Sequence, residues 1–298
     1  MDRTARSPGR GLRRTGPLAG LTLNAAGLAE LVQAYLDAQY LSLTAGERAL
    51  RAGHLEVVHP TRVASRRYRT VLRDFVDLFN PEVAMVLEES LRWYAGVLGG
   101  VRDLQVGRVE LSRLLDELPD SGQARQAWHV VEEYLSHREH AATLALQAAL
   151  DSPRYQRMID QLTIWHEDPP VSDDRGDADV KGYLKRARRR VRRRLEEAAD
   201  ARQPEELLHD ARKAAKRARY IAELAQPSLG RKARAIAQRM TTVQDTLGAR
   251  QDAAVAQELI RDLARRAAND PADRNAVRST VALLTAAISE DETIPFSA

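Results

Sequence analysis

The sequence predicts an all-α fold. Three observations carry this reading. Apolar residues recur with helical period along nearly the whole chain, and few segments alternate with strand period. Ala, Leu, Arg and Glu, which favour helices, are plentiful, while aromatics make up 5%. Proline and glycine fall where helix ends are needed.

Helices are expected over roughly 25–43, 55–79, 82–99, 101–118, 122–150, 153–165, 178–200, 204–225, 231–247, 250–268 and 272–289. Asn80-Pro81 separates the second from the third. Pro119-Asp120-Ser121-Gly122 closes the fourth, Gln203-Pro204 opens the eighth, and Pro227-Ser228-Leu229-Gly230 stands before the ninth. The acidic stretch 166–179, broken by Pro169-Pro170, reads as a linker between a first half over about 21–165 and a second over about 180–290. Residues 1–20 read as a disordered basic tail, and 291–298 as a C-terminal tail.

Composition excludes several classes. A chain of 298 residues buries about three quarters of its unfolded surface and needs no covalent staples. The absence of cysteine rules out disulfides, thiol catalysis, Fe–S clusters and Cys-ligated zinc. No apolar run reaches the ~18–20 residues of a membrane span, and the Arg-rich start has no apolar secretory core, so a cytoplasmic protein is expected.

The net charge of +4 conceals segregation. Residues 62–73, 181–194 and 212–219 carry five, nine and five basic residues and no acid, leaving 27 basic against 42 acidic residues elsewhere. Of the basic residues 41 are Arg, whose planar fork matches phosphate bidentately. High-GC codon usage explains the Arg preference but not the clustering.

The halves resemble each other. Displaced by 150, His59–Leu72 lies on His209–Ala222 with five identities: His59/His209, Arg62/Arg212, Ala64/Ala214, Arg67/Arg217 and Arg69/Arg219. Displaced by 149, Leu98–Val106 lies on Leu247–Val255 with Leu, Gly, Asp and Val in place. Two ordered matches predict an internal duplication.

At 100° per residue, Arg62, Arg66, Arg69 and Arg73 form one column opposite Val71, Phe75, Leu78 and Phe79. His209, Arg212, Lys213, Lys216 and Tyr220 share a face opposite Ala211, Ala214, Ala215, Ala218 and Ala222. Lys181, Lys185, Arg188 and Arg192 repeat the first spacing. Like charges at i, i+4 oppose helix formation, so three acid-free columns point to a polyanion surface; a solvated basic face is the plainer alternative.

Here the sequence resembles the CHAD domain, a helical domain named for its histidines. The resemblance covers about 21–290. It rests on His59-Pro60-Thr61-Arg62-Val63 with Arg66-Arg67-Tyr68-Arg69, on Leu98-Gly99 with Arg102-Asp103, on His209-Asp210-Ala211-Arg212-Lys213 with Lys216-Arg217-Ala218-Arg219-Tyr220, and on Leu247-Gly248 with Asp252. It implies two pseudo-symmetric helical bundles, basic helices around a central groove or pore, and binding of inorganic polyphosphate, with some members on polyphosphate granules. The implied polyphosphate-binding residues are Arg62, Arg66, Arg67, Arg69, Arg73, Lys181, Lys185, Arg188, Arg189, Arg192, His209, Arg212, Lys213, Lys216, Arg219 and Tyr220. His59, Asp103 and Asp252 are supporting candidates. There are departures. Pro60 places a helix start or kink beside His59, Gln251 stands where the first copy has Arg102, and the Glu-x-Glu-x-Lys signature of the CYTH triphosphatase domain is not met.

His59 and His209 either donate to phosphate or make helix-end hydrogen bonds. Asp103 and Asp252 either orient column arginines or cap the next helix, and capping is preferred for Asp252. Glu133, His137 and His140 share a helix face but lack a second ligand group, so a solvated surface rather than a metal site is expected. Trp93, Trp128 and Trp165 read as core or interface. No nucleophile elbow, phosphate-binding loop or dinucleotide fingerprint is present, so no catalysis and no cofactor are expected. A basic protein binding DNA or RNA is the second choice; the scarcity of aromatics in the columns argues against single-strand recognition.

Overall fold

The computed structural model describes residues 27–168, 170, 179–202, 204–269 and 274–292, with backbone alone at 249–252, 267–269 and 289–292. The expected tail 1–20, residues 293–298 of the expected C-terminal tail, and most of the 166–179 stretch lie outside these residues; 291 and 292 belong to the last helix. Among the described residues the fold is all-α. Its helices are α1 (Leu28–Arg51), α2 (Val58–Asp74), α3 (Pro81–Asp116), α4 (Ser121–Leu150), α5 (Pro153–Glu167), α6 (Val180–Ala199), α7 (Glu205–Leu224), α8 (Gln226–Thr246), α9 (Gly248–Asn269) and α10 (Arg274–Glu292). None is long and apolar enough to cross a membrane.

Local chemistry sets the helix starts. Asn80 accepts from the backbone N–H groups of Glu82 and Val83, with Pro81 at the first helical position of α3. Asp120 caps α4, Ser152 caps α5 ahead of Pro153, and Asp179 caps α6 through Lys181 N–H. Gly230, at φ 52°, turns the chain within the first part of α8, a conformation that glycine adopts without a Cβ penalty.

Several boundaries depart from the sequence reading. The first helix, expected over 25–43, runs from Leu28 to Arg51. The expected break at Gly100 does not exist: α3 runs through Gly99-Gly100 as one helix of 36 residues, about 54 Å long. Two interior glycines cost such a helix about 1 kcal/mol each, and burial of Leu98 and Val101 on the core side offsets this. The expected linker also starts too early. His166 belongs to α5, where it pairs with Asp37 at 2.7 Å and stacks on Tyr40 with ring centroids 4.4 Å apart. The 55–79 segment is a 3-10 turn, α2, and a second 3-10 turn that buries Leu78.

Two apolar cores hold the helices, and α3 threads both. Its first part packs Leu87, Leu91 and Leu98 with α1, α2, α5, α6, α7 and α8. Its last part packs Leu104, Leu111, Leu114 and Leu115 with α4, α9 and α10. Each core therefore draws helices from both sides of the acidic stretch. The alanine face of α7 behaves as its pattern predicts: Ala211, Ala215, Ala218 and Ala222 are fully buried, which lets α6 and α8 pack close.

Candidate functional site

Helices α2 and α7 pack against each other, and their polar faces carry the basic columns. α2 begins at Val58, so Pro60 lies in its first turn and no kink follows. Buried Thr61, Ala64, Ser65 and Tyr68 seat α2 on the core, and Ser65 Oγ donates to Leu91 O of α3 at 3.0 Å. One turn before, Arg62 Nε donates to Ala95 O at 3.2 Å. Its guanidinium lies against Gly99, where a Cβ would sit 3.5 Å from Nε. Across the molecule Arg212 of α7 lies against Gly248 in the same manner, with Nη2 3.6 Å from a Cβ placed there. The two arginines paired by the sequence repeat thus meet the two glycines paired by it.

Between them is a group of cations that feel one another. Burial, then Arg66, Arg212, Arg62 and Arg219, lower the Lys216 ammonium to about 7. Burial lowers Arg66 too; Tyr220 opposes this, and Arg62 and Arg219 add to it. His59 is lowered by partial desolvation and by Arg102, Arg62, Arg66 and Arg219. Among the described residues neither Arg66 nor Lys216 has an ion-pair partner. Asp103 lies near Arg62 and Arg102; desolvation raises its carboxyl and these two arginines draw it down. Asp103 lies inside α3, so it caps no helix.

Tyr220 is buried, with the Arg67 and Arg219 guanidiniums 5.5 and 5.0 Å from its ring centre. Arg67 turns away from the central group. Its Nε donates to Glu223 Oε2 at 3.0 Å, Tyr35 OH donates to the same oxygen at 3.2 Å, and Arg219 stands 3.6 Å from Glu223 Oε1.

The remaining candidates lie elsewhere. Arg69 donates to Glu88 through Nε and Nη2, and half-exposed Arg73 approaches the same carboxylate at 3.9 Å. Lys213 is exposed and paired with Asp210, and His209 is exposed one turn earlier. The α6 column faces outward. Lys181, Lys185, Arg188, Arg189 and Arg192 are exposed, Arg192 pairs with Glu196 at 3.0 Å, and none is among the charges that perturb Lys216, Arg66 or His59. The Asp252 side chain lies outside the described atoms.

The sequence reading did not place Arg102 or Glu223 in the site. Arg102 sits inside the Leu98–Val106 match, and Glu223 stands one turn beyond Arg219; both signals were present. Among the described residues no three His, Asp or Glu side chains are arranged to hold a metal, and Glu133 instead faces Arg266 at 3.9 Å.

Fold and site together define a helical module with a cationic centre built from α2, α3 and α7. The chain belongs to the CHAD domain family, whose model matches residues 34–261. It is 32% identical over 242 residues to the uncharacterized proteins MT2285 and Rv2226 of two Mycobacterium tuberculosis strains; the match covers 77% of this chain and 45% of each relative, so the chain spans less than half their length. Its fold is similar to the CHAD domain of the plant Ricinus communis, with TM-score 0.70 and 26% identity over 97% of this chain and 94% of that one. It is similar in fold to PptA from Streptomyces chartreusis, with TM-score 0.71 and 18% identity over 89% and 95% of the two chains.

Proposed function

We propose that this protein binds inorganic polyphosphate, without catalysis, at the cationic group of Arg62, Arg66, Arg102, Arg212, Lys216 and Arg219, and that this binding targets it to polyphosphate granules. The observation that carries the reading is that Arg66 of α2 and Lys216 of α7 are gathered with other cations and have no ion-pair partner among the described residues, Lys216 being lowered to about 7 by burial and then by Arg66, Arg212, Arg62 and Arg219. Like charges gathered at one half-buried place oppose folding. A flexible polyanion relieves that repulsion, and Arg forks suit its oxygens. A second observation favours polyphosphate over single-stranded nucleic acid. Tyr68 and Tyr220, the rings within the columns, are 1% and 3% exposed and present no face for a base to stack on.

Calorimetric titration with long-chain polyphosphate at physiological salt tests this. Saturable binding is expected, with affinity falling as salt rises. The triple variant Arg62→Ala, Arg66→Ala, Lys216→Ala is expected to weaken it by at least about a hundredfold. Displacement of polyphosphate by duplex DNA at equal phosphate concentration would replace this reading with nucleic-acid binding.

A further inference from the structure

A second group of arginines lies farther along the same face of α2. Arg69 and Arg73 continue the stripe of Arg62 and Arg66, and Arg73 stands about 10 Å beyond Arg66 at 1.5 Å per residue. Arg190 of α6 reaches this end of α2 and pairs with Asp74 at 2.9 Å. Arg217 of α7 lies close enough to feel Arg73, Asp74, Arg190 and Arg69. Asp74 is taken by Arg190, and Glu88 is shared by Arg69 and Arg73, so four guanidiniums meet two carboxylates. Among the described residues no acid lies within ion-pairing distance of half-buried Arg217; burial and then Arg73 lower it, Asp74 opposes this, and Arg190 and Arg69 add to it.

The repeat gives a control within the same molecule. The partner of Arg217 is Arg67, and the residue 150 positions after Arg73 is Glu223. At the Arg67 end that carboxylate takes two short contacts from Arg67 and is shared with Arg219. At the Arg217 end the position corresponding to Glu223 is Arg73. Arg67 therefore has a carboxylate partner where Arg217 meets another arginine.

We propose that Arg69, Arg73, Arg190 and Arg217 form an outer subsite that takes the continuation of a polyphosphate chain seated at the central group, so that long chains are held at both places and short oligophosphates at the central one alone. This rests on the polyphosphate reading above. With Arg73 about 10 Å beyond Arg66, a longer chain is needed to engage both groups fully.

The test compares tripolyphosphate with long-chain polyphosphate on the wild-type chain and on Arg73→Gln, Arg217→Gln. The double variant is expected to bind tripolyphosphate within twofold of wild type. It should lose about tenfold in long-chain affinity. The slope of log affinity against log salt should fall by about 1.4, at about 0.7 per phosphate contact. Arg217→Lys should retain the slope, and Arg73→Gln alone, at a half-exposed side chain, gives a folded reference with an intermediate loss. Unchanged long-chain affinity and slope would overturn the outer subsite while leaving central binding intact. Equal weakening for both lengths would also overturn it, because the two groups would then be one site. A wild-type chain that binds neither length overturns the subsite and the polyphosphate reading together.

Discussion

Lys216 makes the site respond to pH. Its neighbours are arginines that stay charged across the accessible range, so it is the cation there that can shed its proton near neutrality. The fall from 10.5 to about 7 corresponds to roughly 5 kcal/mol at 1.36 kcal/mol per pH unit, reduced to a few by water at a side chain that is not fully buried. The folded value lies below the unfolded one. Protonated Lys216 therefore destabilises the ligand-free fold fully below pH 7, and the penalty fades as pH rises from 7 toward 10.5. A bound polyanion restores the positive charge. Binding should then take up about 0.5 proton at pH 7 and about 0.9 at pH 8, and affinity should fall by up to about fiftyfold between pH 7 and 9. Calorimetry in buffers of different ionisation heat reads this uptake directly. Lys216→Met should abolish it and flatten the pH dependence of affinity. Zero uptake at pH 8 in the wild-type chain would refute the reasoning.

Two further outcomes concern packing. A methyl at Gly107 would overlap Leu259 Cδ1, where α3 meets α9, so Gly107→Ala should cost about 1–3 kcal/mol in thermal or denaturant unfolding; unchanged stability would contradict this crossing of α3 and α9. At Gly99 a Cβ would touch Arg62 without clash, so Gly99→Ala should leave polyphosphate affinity within about twofold, whereas Gly99→Leu should displace the guanidinium and weaken binding about tenfold with the fold retained by circular dichroism.

The helical class and most element limits were legible because period and punctuation act locally. The miss at Gly99-Gly100 has a physical cause. Glycine lowers helix stability modestly, and tertiary packing overrides it when a neighbouring helix uses the open surface, as Arg62 does here. His166 was read as linker because its polar neighbours hide its contacts with Asp37 and Tyr40 on a helix more than a hundred residues away.

The site was legible in part for a similar reason. Periodicity placed Arg62 with Arg66 and Arg212 with Lys216 on shared helix faces, and the fold brings those faces together. Charge density alone gave α6 equal weight. Its apolar side, with Val180, Tyr183, Leu184, Ala187 and Val191, is the buried one, so the Lys181, Lys185, Arg188 and Arg192 column is exposed. Glu223 escaped notice because it follows the basic window, yet three side chains converge on it. Which cation is neutralised depends on contacts between helices, and a single sequence does not state these.

The most direct measurement is a structure of the chain with polyphosphate bound. Phosphate density is expected between α2 and α7, within hydrogen-bonding distance of Arg66 and Lys216. Density confined to the outer face of α6, with the α2–α7 group unvisited, would contradict the account.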